Sequence, residues 1–462
     1  MLCKCSQSRQ AMRSAALVAL LACLALVAPL PAAAHVGDTG PVQTLVMDAG
    51  PYALAVTMTI PPALPGPLLV ALTSERAPAP AAVELRLTRY GSPFPASPTT
   101  RLTLSAPLSA TTQLDLAGPG TWEVELRAQG DRGQGLARIP VTVAQPPLPP
   151  TTIPLAVALG ALVISLLAGA AVSAGGRATR GGFAATARIL NYVAFAAAVA
   201  TAIFVWQQFA PVQAVAPAPG TTYGGAPHIN LLLASEPQSP VAGSPAVLTL
   251  DLRDGATGLA ADDLSPHHDA LVHLVLIDES GGFFAHMHPA RIAPGQFAVT
   301  LVPDRPGTYT AYAEIVRHGG GAQVVTSQFA VTGAAAVTPA LPPPGERTFE
   351  RLKVTVQTSP GQLRAGEQAV LALLLSDDAG PVRDVEPWLG MAGHLILRRT
   401  DGMLFSHIHA AAPMATPGST IRYGPELRFV HTFARAGRYH AWFQFRHAGQ
   451  VVTVPATLEV AP

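Results

Sequence analysis

Between residues 35 and 146, short runs of alternating apolar and polar residues are broken by Pro, Gly and Ser: Tyr52–Ile60, Leu68–Leu72, Val83–Leu87, Thr121–Leu126 and Ile139–Val143. A period of two marks a half-buried strand, and strands separated by turn residues predict a small antiparallel sandwich. The phrase Pro119-Gly120-Thr121-Trp122 returns as Pro306-Gly307-Thr308-Tyr309 and as Ala436-Gly437-Arg438-Tyr439. Three domains of one ground plan are expected, at 35–146, 224–332 and 347–462. Two stretches break the alternation. Ile153–Ala174 and Ile189–Phe209 are predominantly apolar, and each suits the helix of about 20 residues that spans a bilayer. Arg177, Arg180 and Arg188 lie between them with no acid, so the positive-inside rule predicts a transmembrane hairpin over 151–209 with 175–188 in the cytoplasm.

The last two domains are repeats. Asp263–His288 aligns without a gap onto Asp384–His409, an offset of 121 positions. The alignment pairs Pro266 with Pro387, His273 with His394, Phe284 with Phe405, His286 with His407 and His288 with His409. Asp401-Gly402 between two strand-like runs is a strong hairpin signal. Pairing outward from it sets Arg398 opposite Phe405 and His394 opposite His409, with His407 on the same sheet face two residues along. Ser280-Gly281 does the same for His273, His286 and His288. Three imidazoles within reach of one ion make each set a candidate metal site, one per repeat and independent of the other. Imidazole without thiolate suits copper, zinc or nickel, and copper binds such ligands most tightly. The alternative is a structural role, with the imidazoles hydrogen-bonded to backbone carbonyls.

Other histidines are weaker candidates. His318 and His447 stand at matching places near the sandwich end and could supply a fourth ligand, and His35 could chelate through its amine and ring if it were N-terminal. His267, His268, His431 and His440 have no repeat partner and read as surface residues, and His228 falls in a linker. Met287 alternates away from the histidines and reads as core.

Composition narrows the function. Only 12% of residues are charged and the formal net charge is +1, which excludes a polyelectrolyte and leaves nucleic acid without an electrostatic footprint. Lys4, Arg9 and Arg13, the apolar run Ala15–Val27 and Ala32-Ala33-Ala34 make residues 1–34 a predicted export signal. The cysteines, Cys3, Cys5 and Cys23, all precede that cut, so no disulfide or thiolate site is expected in the mature chain.

His273-Leu274-Val275-Leu276, Phe284-Ala285-His286-Met287-His288-Pro289 and Pro306-Gly307-Thr308-Tyr309 resemble the YtkA-like and related exported heavy-metal-binding β-sandwich domains. The second copy departs at Ala410 and Ala436, which are loop positions. The N-terminal region is more loosely similar to FixH-like or CopC-like sandwiches. The resemblance implies immunoglobulin-like or cupredoxin-like sandwiches, so the whole chain is expected to be mainly β, with three such domains plus the two-helix hairpin already read from hydropathy. Its expected place is the cell membrane, crossed twice, with both large regions extracytoplasmic. The expected function is copper binding for buffering, sensing or delivery, with the lipid bilayer and an envelope metalloprotein or metal transporter as partners. A scaffold of exported modules without metal is the alternative. No Ser-His-Asp set or nucleotide loop points to an enzyme, although a copper-dependent redox activity stays open.

Overall fold

The computed structural model describes residues 42–92, 94–104, 108–143, 160, 228–318, 320–334, 340–349, 351–416 and 419–462. The first sandwich contains β1 (Val42–Ala49), β2 (Tyr52–Thr59), β3 (Gly66–Ser74), β4 (Ala82–Arg89), β5 (Thr100–Thr103), β6 (Ser109–Leu116), β7 (Gly120–Gly130) and β8 (Gly133–Val143). Its sheets run β1-β2-β3-β6 and β5-β4-β7-β8. Alternate residues of each strand enter one core: Leu54, Val56 and Met58 from β2 meet Trp122, Val124 and Leu126 from β7.

The second sandwich contains β9 (Ile229–Glu236), β10 (Ala246–Asp254), β11 (Val272–Asp278), β12 (Phe284–Met287), β13 (Ala290–Ala293), β14 (Gln296–Leu301), β15 (Gly307–Arg317) and β16 (Gly321–Val331). The third contains β17 (Glu346–Phe349), β18 (Leu352–Ser359), β19 (Leu363–Arg364), β20 (Gln368–Asp377), β21 (Gly380–Pro381), β22 (His394–Arg399), β23 (Phe405–His409), β24 (Glu426–Thr432), β25 (Gly437–His447) and β26 (Gln450–Ala461). The histidine-bearing sheets run β12-β11-β15-β16 and β19-β26-β25-β22-β23.

The recurring phrase opens β7, β15 and β25, the strands beside β4, β11 and β22. Gly120, Gly307 and Gly437 take φ of 120°, 138° and 135°, values that L side chains rarely adopt. The aromatic two residues on then donates to the carbonyl four residues before it. Trp122 Nε1 reaches Gly118 O at 3.0 Å, while the Tyr309 and Tyr439 hydroxyls reach Arg305 O and Arg435 O at 2.7 Å.

The two repeats pack through the outer faces of their histidine-bearing sheets. Leu274 and Leu276 of β11 point into their own core, whereas Val275 and Ile277 point out against Ile396 and Trp442. Phe284 stacks on Trp442 with ring centroids 4.8 Å apart, and Phe405 stacks on Tyr312 at 4.2 Å. Phe284 and Phe405 are repeat equivalents, and Tyr312 and Trp442 hold matching places on β15 and β25. The contact is therefore reciprocal, like an isologous dimer interface built within one chain.

The first sandwich docks on this pair. Arg291 reaches Glu123 at 2.9 Å and Asp262 at 2.6 Å, and Arg446 pairs with Glu75. Asp48 of β1 pairs its backbone with the His288 segment: its N–H donates to His288 O at 2.7 Å, and its Oδ2 accepts from His288 N–H at 2.8 Å.

The mainly β part of the expected fold fits these sheets, but the two-helix transmembrane hairpin and the two-pass membrane localisation do not stand. Among the described residues no helix is long and apolar enough to cross a membrane. The expected spans, 153–174 and 189–209, lie outside the described residues apart from Gly160, as do the expected export signal 1–34 and His35. The physical reason is that the assignment rested on composition and flanking arginines alone. Those runs owe much of their length to Ala and Gly, whose burial contributes far less than that of Leu or Phe.

Candidate metal centre

Each candidate triad is built by one hairpin. Leu274 pairs with Met287 and Val275 with His286, which brings His273 to His288 at the end of the ladder. In the second repeat His394 pairs with His409 and Ile396 with His407. The register that the Asp401-Gly402 turn predicts is the register observed, Arg398 opposite Phe405 included. Because side chains alternate across a strand, all three rings of each set share the outward face with Val275 or Ile396, and Met287 turns into the core.

The structure brings His273, His286 and His288 together, and likewise His394, His407 and His409. In each set the ligating nitrogens lie within 4.8 Å of one another, and each set could hold a metal ion. The hydrogen bonds fix which nitrogen faces inward. His273 Nε2 donates to His267 O at 2.8 Å, leaving Nδ1 as its lone-pair nitrogen. His286 Nδ1 donates to Gln444 Oε1 at 2.9 Å, leaving Nε2. Those two lone-pair nitrogens face each other at 3.3 Å. Two lone pairs at that range repel unless a cation lies between them, and 3.3 Å is the edge of a tetrahedron with metal–nitrogen bonds of about 2.0 Å.

The second set shows the same logic. His407 Nδ1 donates to Glu314 Oε2 at 2.6 Å, and a carboxylate behind a ligand imidazole orients it and raises its basicity. Among the described residues, His407 Nε2, His409 Nε2, His288 Nε2 and both nitrogens of His394 are buried without a hydrogen-bond partner. A buried polar atom without a partner costs about 1–3 kcal/mol, and a bound metal would satisfy one lone-pair nitrogen on each of these rings. Burial, aided by the neighbouring imidazoles, pushes His286 down to about 3 and His409 down to about 4, and holds His273, His288 and His394 well below the usual imidazole range. The rings are thus kept in the neutral form that binds metal.

Three features lie beyond the sequence reading. First, Gln444 and Glu314 belong to the opposite repeat from the histidines they hold. Second, the sets are not remote: His286 and His407 lie 5.0 Å apart, His273 and His407 5.3 Å, and His286 and His394 5.8 Å, as centroid distances. Third, His267 and His268 are not free surface residues. His268 lies 3.9 Å from His409, and His267 5.9 Å from His409 and 6.1 Å from His273. They occupy a tight turn bridged by His267 and Ala270, which corresponds to the turn bridged by Trp388 and Met391 in the second repeat. Trp388 therefore stands where His267 does, and its ring lies 5.4 Å from His286 and 4.8 Å from His394.

The remaining candidates lie elsewhere. His318 Nδ1 is hydrogen-bonded to Ser265 Oγ at 2.8 Å, and His447 Nε2 meets Asp384 at 3.3 Å. His440 packs against Trp442 and His431 against Phe433. His228 is exposed at the start of β9.

No curated protein matches this chain. Among solved structures, the Yersinia pseudotuberculosis adhesin InvE is 15% identical over 49% of this chain and 58% of its own, with a TM-score of 0.16. Red sea bream transglutaminase is 10% identical over 51% of this chain and 31% of its own, also at 0.16. The three N-terminal domains of the bacteriophage RB49 outer capsid protein Hoc are 10% identical over 91% and 99%, at 0.14. Likenesses at these scores carry no argument. A family profile, described as a domain of unknown function (DUF8832), matches residues 230–334 and again residues 348–462. That family is not one of the YtkA-like, FixH-like or CopC-like groups, and its two matches fall on the two repeats that carry the histidine triads.

Proposed function

We propose that this chain is a metal-binding protein whose histidine triads take up divalent copper, for buffering or for delivery to a metalloprotein or transporter. The observation that carries the reading is the convergence of ring nitrogens: His273 Nδ1 and His286 Nε2 approach to 3.3 Å with their other nitrogens already donating, and His288, His394, His407 and His409 each offer a buried nitrogen without a partner among the described residues. A purely structural histidine would be expected to spend its nitrogens on carbonyls or hydroxyls, and among the described residues both nitrogens of His394 go unspent. Donors that are all imidazole favour copper over zinc and nickel in the affinity series. Delivery is supported by a difference in burial: His273, His286 and His288 are buried, whereas His409 is only partly so.

The test is metal retention by the full chain after separate exposure to Cu(II), Zn(II) and Ni(II), followed by desalting and elemental analysis. Copper held in stoichiometric amount, and held against equimolar zinc, is the expected result. A wild-type chain that retains none of the three metals overturns the reading.

A further inference from the structure

The triads lie on two sandwiches, yet the spacing of their rings ignores that division. Within the first triad the centroids are 5.0–5.5 Å apart and within the second 4.8–5.3 Å. Across the boundary, His407 lies 5.0 Å from His286 and 5.3 Å from His273, the same range. His286 and His407 are repeat equivalents facing each other, and each is held from behind by the opposite repeat, through Gln444 and Glu314. Neither triad is complete, in its orienting hydrogen bonds, without the other domain.

We infer that the six histidines form one two-metal centre across the inter-repeat interface rather than two separate sites. The inference rests on the metal-binding reading above. Two-metal sites of phosphatases and polymerases hold their ions about 3.5–4 Å apart, and here the shortest ring gaps between the triads, 5.0 and 5.3 Å, match the gaps within them, so that two ions would sense each other. Glu314 at the His407 ring and Asp48 at the His288 N–H are carboxylates in contact with the cluster, together carrying fewer charges than two dications. The second dication therefore enters against the charge of the first, and uptake proceeds in two steps of unequal affinity.

The experiment is a Cu(II) titration of the full chain, followed by electron paramagnetic resonance with spin counting against copper content. Two coppers per chain are expected, bound stepwise, with a broadened or diminished signal that accounts for less spin than copper. His409→Ala should then leave one copper whose spin count equals its metal content. This variant orphans no partner of Nε2, because His409 Nε2 has none among the described residues. His288→Ala is the matching variant on the other side, should the first fail to fold. Two coppers with full spin count and narrow lines would overturn the shared centre while leaving the metal-binding function intact. A single copper that excludes a second would also overturn it. No copper at all would remove the function and the inference together.

Discussion

At the scale of single residues, burial without a partner is the decisive property. His394 is fully buried, and neither of its nitrogens is hydrogen-bonded among the described residues. His394→Leu should therefore abolish uptake at the second triad yet raise the stability of the metal-free chain, by about 1–3 kcal/mol for the polar group removed. Calorimetry with and without copper checks both halves, and a fall in metal-free stability would contradict them. The acid response has a definite sign. His286 sits at about 3 in the folded chain, against about 6.5 for a free imidazole. Between those values the unfolded chain binds the extra proton, so stability present above pH 6.5 is lost as pH falls toward 3. The slope is about 1.4 kcal/mol per pH unit for each histidine kept neutral. Melting of the metal-free chain between pH 7.5 and 5 should show this decline, and an unchanged midpoint would contradict it. The six triad residues were legible in the sequence because both copies keep them in register. His267 and His268 were not, since nothing local says that their turn lies over the other repeat's histidines.

At the scale of elements, the hairpins β11–β12 and β22–β23 follow from turn chemistry and period-two alternation, which is why their register could be read in advance. What the alternation also offered was a sign of burial on both faces. Val272–Asp278 is buried at every position, and a near-continuous apolar run is what a strand covered on both sides looks like. The covering surface is the other repeat, reached through the stacked pairs Phe284–Trp442 and Phe405–Tyr312. The turn at Trp388 makes a further prediction. Its indole lies 5.4 Å from His286 and 6.1 Å from His288, so Cu(II) at the first triad should quench its emission. In Trp388→Phe most of that quenching should vanish while copper uptake persists. Quenching that survives the substitution would place the metal elsewhere.

At the scale of the whole molecule, the first sandwich reaches the first triad through Asp48, which holds His288 by two backbone-directed hydrogen bonds. Asp48→Ala should weaken copper binding at the first triad by about tenfold or more, as loss of an orienting partner does at other metal sites. Competition titration against a chelator measures this, and an unchanged affinity would show the contact to be passive. No pattern in the sequence revealed this docking, because its contacts join residues hundreds of positions apart, as Arg446 with Glu75. Over residues 151–209 the transmembrane expectation had only composition and flanking arginines behind it. The reciprocal packing of the repeats has one more consequence. In a true homodimer every substitution is made twice, so both halves of a central site change together. Joining the halves in one chain lifts that constraint, and the two equivalent turns have diverged: one sets the His268 ring against His409, while the other sets the Trp388 indole beside His286 and His394. The two ions can then differ in affinity and exchange rate through changes in a single turn, which a symmetric assembly of identical subunits cannot achieve.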